Sequence, residues 1–165
     1  ILAAYLDGER SPNRPLARGL LGNLSNETTR EQMALAAFEG VLLGLIEGHA
    51  AIQAAGARAD GRVVATGRGA ISPAYRQVLA DLLVQPVLLL VVPEATARGA
   101  CVQAAAVLQG RDIRSVREQW RPPVLAVCEP RGGVVRSQRS GYQALAEVAA
   151  ETAKPVSRLH RGARR

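Results

Sequence analysis

Aromatic side chains are scarce in this sequence: there are five in 165 residues, and none is interleaved with the arginines near its end. A protein that takes single-stranded nucleic acid on a folded face stacks bases on aromatic rings beside a basic groove, so that class is disfavoured at once. Cysteine is nearly as rare. Cys101 and Cys128 stand 27 positions apart in apolar surroundings, which speaks against a disulfide framework or a thiolate metal site and suits two buried free thiols in a reducing cytoplasm. Histidine occurs only as His49 and His160. Neither has a serine or cysteine at an informative spacing and there is no HExxH, so nucleophilic catalysis and a metal site find no support. The longest apolar run, Val87 to Val92 between Pro86 and Pro93, is far short of the roughly 20 residues that cross a bilayer. No membrane partner is expected. The chain starts at Ile1 without a basic leader or an apolar signal core, and the expectation is a piece of a longer protein.

What is present is nearly half apolar and long enough for one domain with a real core. The net charge of +7 is unevenly placed. Residues 1–110 carry nine arginines and nine acidic residues, whereas residues 111–165 carry twelve basic residues against five acidic ones. Excess charge confined to the end of a chain reads as a solvated tail, here residues 156–165, with an electrostatic contact as its alternative. Nucleic acid is not the expected partner.

The opening YLDGERSPNRPLARG reads as an irregular loop after a short strand. A helix follows, with Thr29 and Gln32 in capping-box positions and Gly56 as its stop. Met33, Ala37, Phe38, Val41, Leu42, Leu45 and Ile46 predict its buried face. Gly40, Gly44 and Gly48 form a stripe that predicts close packing against another element. Next come a strand over Arg62 to Ala65, the break Thr66-Gly67-Arg68-Gly69-Ala70, and a helix with Ser72 as N-cap and Pro73 in its first position. Tyr75, Val78, Leu79, Leu82 and Leu83 give that helix one apolar stripe. PVLLLVV predicts a strand covered on both faces, and a helix from Ala97 to Leu108 capped by Thr96 follows it. Strands alternating with crossover-length helices predict an α/β sheet with parallel neighbours. Beyond Gly110 the pattern leaves Pro122 to Cys128 as strand or connection, Arg131 to Gly133 as a turn, and Gly141 to Thr152 as a last helix.

Glycine at a strand-to-helix turn lets a ligand approach the main chain with no Cβ in the way. No GxxxxGK[ST] loop occurs, and the dinucleotide fingerprint fails at Ser72, where its third glycine belongs. Spacing alone leaves a structural turn and a nucleotide site both open.

Four blocks in register then carry a resemblance. YLDGERSPNRP resembles the YLxGERTPN block of the FGGY family of carbohydrate kinases in its xylulose kinase branch. TTREQMALAAFEGVLLGLIEGHAAI is similar to the family's TTRxxLxRAxxEGV helix, VVATGRGAISPAYRQVLADLL to its GGGAxSPxxRQ adenosine block, and PEATARGACVQAAAVL to its PExxxxGAAxxAAxxL helix. The likeness is strong over residues 5–110 and weak beyond.

The resemblance implies an α/β fold of actin-like ATPase (ribonuclease H-like) type, a mixed sheet flanked by helices, present in part. Residues 1–155 would form most of the C-terminal nucleotide-binding domain. The implied reaction is transfer of the ATP γ-phosphoryl to D-xylulose with Mg²⁺; other sugar or polyol kinases, and a non-catalytic nucleotide-binding or regulatory domain, remain alternatives. ATP or ADP and, through a missing domain, a pentulose are the implied partners. The resemblance makes Gly67, Arg68, Gly69, Ala70 and Ser72 the nucleotide-binding candidates, at the positions of the adenosine block. Arg68 departs from it, since the family has glycine there: either the turn adjusts and Arg68 brings a cation near the phosphates, or nucleotide affinity falls. Glu9 and Arg10 are candidates for a substrate loop, with a turn hydrogen bond or loop ion pair as the plainer reading. No catalytic and no metal-binding residue is nominated, because the family's base lies ahead of this segment, and the chain alone is expected to be inactive. Surfaces that missing strands would cover make a homodimer possible.

Overall fold

The computed structural model describes residues 1–58, 61–92, 94–132 and 135–152. Its described residues fall into two compact units, one from within 1–59 and 134–165, the other from within 60–133.

In the first unit, β1 (Leu2–Ala3) pairs antiparallel with β2 (Leu20–Leu21), placing Leu2 opposite Leu21 and Ala3 opposite Leu20. The loop between them is held by reciprocal backbone bonds, Glu9 N–H to the Arg14 carbonyl at 2.9 Å and Arg14 N–H to the Glu9 carbonyl at 2.8 Å. Helix α1 (Arg30–Ala54) starts at the expected capping box. The Gln32 amide donates to Thr29 Oγ1 at 3.2 Å, and the Thr29 amide donates to Gln32 Oε1 at 3.0 Å. The helix ends at Ala55, and Gly56 follows with φ +89°, a conformation that favours glycine.

The buried face of α1 is not the one expected. Leu42 and Ile46 are buried, but Met33, Ala37, Val41 and Leu45 are exposed, and Ala36, Gly40 and Leu43 are buried instead. This helix is apolar almost all round, so spacing does not choose its face; small residues do. A Cβ on Gly40 would lie 2.3 Å from the Leu2 carbonyl oxygen, and one on Gly44 would lie 3.3 Å from the Tyr142 hydroxyl. The stripe therefore packs closely at two of its three glycines, while around Gly48 a Cβ would meet nothing within 4 Å. Burial of Leu42 and Leu43 contributes about 1.5–3 kcal/mol each.

Helix α5 (Val135–Thr152) starts before the expected Gly141 and packs on β1 and α1. Tyr142, Ala146 and Ala149 are its buried positions, at helical spacing. Glu47 of α1 accepts Arg139 Nε at 2.7 Å and Gln143 Nε2 at 3.1 Å, and Glu39 accepts Gln138 Nε2 at 2.8 Å. Burial pushes the Glu39 carboxyl above the usual range. By length and composition α1 would also suffice to cross a membrane; in this unit it buries Ala36, Gly40, Leu42, Leu43 and Ile46 and pairs its glutamates with α5.

In the second unit, β3 (Val63–Ala65) runs parallel to β4 (Val87–Leu90), with Val63 opposite Val87 and Ala65 opposite Leu89. The segment left open between strand and connection is β5 (Val124–Cys128), antiparallel to β4, so the sheet is mixed. Helix α2 (Pro73–Leu83) lies on one sheet face, closing a core of Ala65, Ala70, Ala80 and Val87 with Leu79, Leu83, Leu89 and Cys128 against it. Val87 and Leu88 are buried as a doubly covered strand requires, but Val64 is 40% exposed and Val127 53%, so coverage of the second face is incomplete.

Helix α3 (Ala95–Gln109) begins two residues before the expected Ala97, which places Thr96 inside it; Gly110 ends it with φ +59°. Helix α4 (Ile113–Gln119) was not expected. Its signal is local: the Asp112 carboxylate accepts the amides of Arg114 and Ser115 at 3.1 and 3.2 Å, an N-cap. Val116 and Trp120 meet Val102 and Ala106 of α3. Cys101, expected buried, is exposed on α3, because that helix buries only the side carrying Val102 and Ala106; Cys128 is half-buried and both thiols are free.

Candidate functional site

The glycine break between β3 and α2 is a tight double turn. Gly67 takes φ +85°, the left-handed region that glycine enters without cost, and a Cβ there would meet nothing within 4 Å. Arg68 sits in ordinary right-handed helical backbone, φ −64° and ψ −37°, and Gly69–Ile71 form one 3₁₀ turn. The departure at Arg68 therefore strains nothing: a side chain is as acceptable there as glycine. Its guanidinium belongs to an exposed residue.

Three amides are consumed in shaping this turn. Ala70 N–H donates to the Gly67 carbonyl at 3.1 Å, Ile71 N–H to Arg68 at 3.2 Å and Ser72 N–H to Gly69 at 3.1 Å. Ser72 caps α2 as expected, its hydroxyl accepting the Tyr75 amide at 3.3 Å, while Pro73 has no amide to offer. The helix start thus presents fewer open donors than a bare N-terminus, and the turn is a shaped ledge more than an anion hole. Beneath it lies the Tyr75 ring: a Cβ built on Gly69 would touch its carbons at 3.4–3.7 Å, ordinary contact. Burial raises the Tyr75 hydroxyl above its usual pKa.

Arg76 is the residue that the pattern of apolar spacing passes over. Its Nη1 donates to the carbonyls of Ala70 at 2.5 Å and Ile71 at 2.9 Å, fastening the turn to α2. A sequence signal did exist. A cation in the first turn of a helix opposes the macrodipole, so an arginine four residues after an N-cap needs an acceptor ahead of the helix.

The other end of α2 is anchored as firmly. Gln77 Nε2 donates to Asp81 Oδ1 and to the Glu129 carbonyl, both at 2.9 Å, and Cys128 Sγ donates to Gln77 Oε1 at 3.4 Å. Asp81 also receives Arg131. Burial works against its charge, but the Arg131 and Gln77 hydrogen bonds and the adjacent guanidinium outweigh it and hold the carboxyl below its ordinary 3.8.

Glu9 and Arg10 lie in the first unit and the glycine turn in the second. The Glu9 carboxylate accepts the amides of Arg10 at 2.7 Å and Ser11 at 3.1 Å, which is the plainer turn role considered for it. Arg10 is exposed. Both border an open cavity of about 1170 Å³ whose wall includes Tyr5, Tyr142 and the half-buried His49. Arg14, two turns of loop further on, donates to the Ala146 carbonyl at 2.7 Å and pairs with Glu147, so the loop is tied to α5. Tyr142, 2% exposed, donates to the Tyr5 hydroxyl at 3.5 Å; burial first, and that bond second, drive its own pKa up. His160 and the basic tail lie outside the described residues.

Residues 1–108 match the FGGY family of carbohydrate kinases, C-terminal domain. A xylulose kinase from Streptomyces coelicolor is 35% identical over 131 residues, which cover 78% of this chain and 27% of that protein. The chain thus spans about a quarter of the length of the curated relatives it matches. Among solved structures, xylulose kinase from Bifidobacterium adolescentis is similar with a TM-score of 0.70 and 31% identity, over 87% of this chain and 27% of that one. Xylulose kinase from Rhodospirillum rubrum gives a TM-score of 0.75 at 24% identity, over 93% and 31%, a likeness of fold alone. The fold is the actin-like ATPase fold of these kinases, a mixed sheet flanked by helices.

Proposed function

Because this chain belongs to the FGGY family of carbohydrate kinases, through that family's C-terminal domain, we propose that it supplies the adenosine side of an ATP-dependent kinase. The acceptor in this reading is D-xylulose and the product D-xylulose 5-phosphate. The identity to a xylulose kinase across most of the chain is the observation that carries it.

The turn suits the part assigned to it. Gly67 opens the backbone, Gly69 and Ala70 keep the surface low, and Ser72 fixes where α2 begins. With three of its amides already bonded, the ledge recognises a nucleoside by contact and shape. Arg68 is the cation of the turn and serves the phosphate end. Among the described residues no group of three or more His, Cys, Asp or Glu side chains could hold a metal ion. Mg²⁺, when bound with the nucleotide, would neutralise charge on its phosphates. Positioning and charge neutralisation dominate phosphoryl transfer, and here the chain's task is to position. The base and most sugar contacts belong to the rest of the kinase.

Calorimetric titration of ADP into this chain tests the site; saturable binding is expected. Coupled assays of the full-length polypeptide with D-xylulose, ribulose, gluconate and glycerol test the acceptor, with D-xylulose expected to give the highest kcat/KM. Absence of adenine-nucleotide binding by both chain and full-length protein would end this reading.

A further inference from the structure

The Arg76 side chain is placed in a way that stability alone does not account for. It stands in the first turn of α2, where the helix dipole disfavours a cation, and it is half-buried. Its Nη1 reaches back over the cap to the carbonyls of Ala70 and Ile71. Its Nε is buried and, among the described residues, meets no acceptor. An unpaired buried donor costs stability. Both carbonyls belong to the 3₁₀ turn, the segment between the two glycines and the cap.

We infer that Arg76 is a positioning residue of the nucleoside site: by bridging the Ala70 and Ile71 carbonyls it holds the Gly67–Ser72 ledge in the shape that receives an adenine nucleoside. The inference rests on the turn being the nucleotide site. It goes beyond that reading by naming which side chain sets the ledge geometry without touching the ligand. A planar guanidinium presents several donors in a fixed fork, whereas lysine offers one mobile ammonium, and the two are not interchangeable at a bridged site. Arg76→Lys should therefore restore part of what Arg76→Gln loses.

The test is ADP titration into the wild-type chain, Arg76→Lys and Arg76→Gln, with melting temperatures and amide exchange of Ala70 and Ile71 followed in parallel. The expected result is a tenfold or larger rise in Kd for Arg76→Gln, a smaller rise for Arg76→Lys, and faster exchange at those two amides. A residue serving stability alone would lower the melting temperature and leave Kd unchanged in the folded protein. Wild-type affinity in Arg76→Gln, while the wild type binds ADP, overturns the inference and spares the nucleotide site. If Arg76→Gln does not fold, wild-type affinity in Arg76→Lys overturns it equally. Failure of the wild type to bind ADP removes the site itself, and the inference with it.

Discussion

The α carbon of Gly40 faces the Leu2 carbonyl so closely that a methyl group on it would sit 2.3 Å from that oxygen. Backbone, not a flexible side chain, is in the way, so β1 must move off α1 for any side chain to enter. Gly48, two turns on, has open space around its missing Cβ. Gly40→Ala should lose about 1–3 kcal/mol to overpacking despite its better helix propensity. Gly48→Ala should gain up to about 1 kcal/mol. Urea denaturation of the pair checks both signs, and equal effects would show that the packing described for Gly40 is wrong.

Asp81 receives three bonds from Arg131, from its amide at 2.8 Å, Nε at 3.0 Å and Nη2 at 2.7 Å. Its carboxyl titrates below the ordinary 3.8 in the folded chain. The unfolded chain then binds the proton more readily, so this contribution is complete above the unfolded value and disappears as pH falls through the folded one. Arg131 is largely exposed, so solvent screening keeps the contribution of the pair small. Asp81→Asn should be modestly destabilising at pH 7 and progressively less so as pH falls below 4. A difference independent of pH between 7 and 3 would count against the assignment.

How much of this was legible beforehand depended on whether the determining interaction was local. Thr29 with Gln32, Ser72 with Pro73, and Gly56 and Gly110 after their helices all act within a few residues, and each stands where the sequence placed it. The buried face of α1 was misread because Met33, Val41 and Leu45 are as apolar as Leu42 and Leu43; what selects the face is the approach of β1, a contact with Leu2 nearly forty residues away. Cys101 was misread for a similar reason, since nothing near it in sequence says which side of α3 receives α4. Within the turn, Gly67 and Ser72 were readable from spacing. The right-handed backbone at Arg68 was not, because it depends on the hydrogen bonds that close the 3₁₀ turn, and for the Arg76 bridge the sequence offered only a cation in the first turn of a helix.

The turn also predicts a separation between folding and binding. Gly67 at φ +85° should not accept alanine cheaply, and Gly67→Ala is expected to cost about 1–2 kcal/mol of stability. Gly69 has no such φ, and its Cβ would only touch the Tyr75 ring, so Gly69→Ala should fold normally. Because that methyl group points at the Tyr75 ring beneath the ledge and not at a nucleoside on it, Gly69→Ala should also keep ADP binding close to wild type. Arg68→Gly should weaken ADP more than adenosine, because the guanidinium is assigned to the phosphate end. Equal losses for both ligands would remove Arg68 from that role.

An exposed strand edge gives the last expectation. β5 is an outer strand of its three-stranded sheet, and Leu125 and Val127 are 63% and 53% exposed on it. Unpaired backbone groups beside apolar side chains are a template for a second strand, and a charge on the edge is the usual defence. The chain by itself should accordingly self-associate at micromolar concentrations, and Leu125→Lys should shift it toward monomer without changing its circular dichroism. Sedimentation velocity over a hundredfold concentration range distinguishes the outcomes. A wild-type chain that stays monomeric throughout shows that this edge is already protected, whereas association that persists unchanged in Leu125→Lys moves the contact to another surface, with the exposed Val41, Leu45 and Ile52 of α1 next in line.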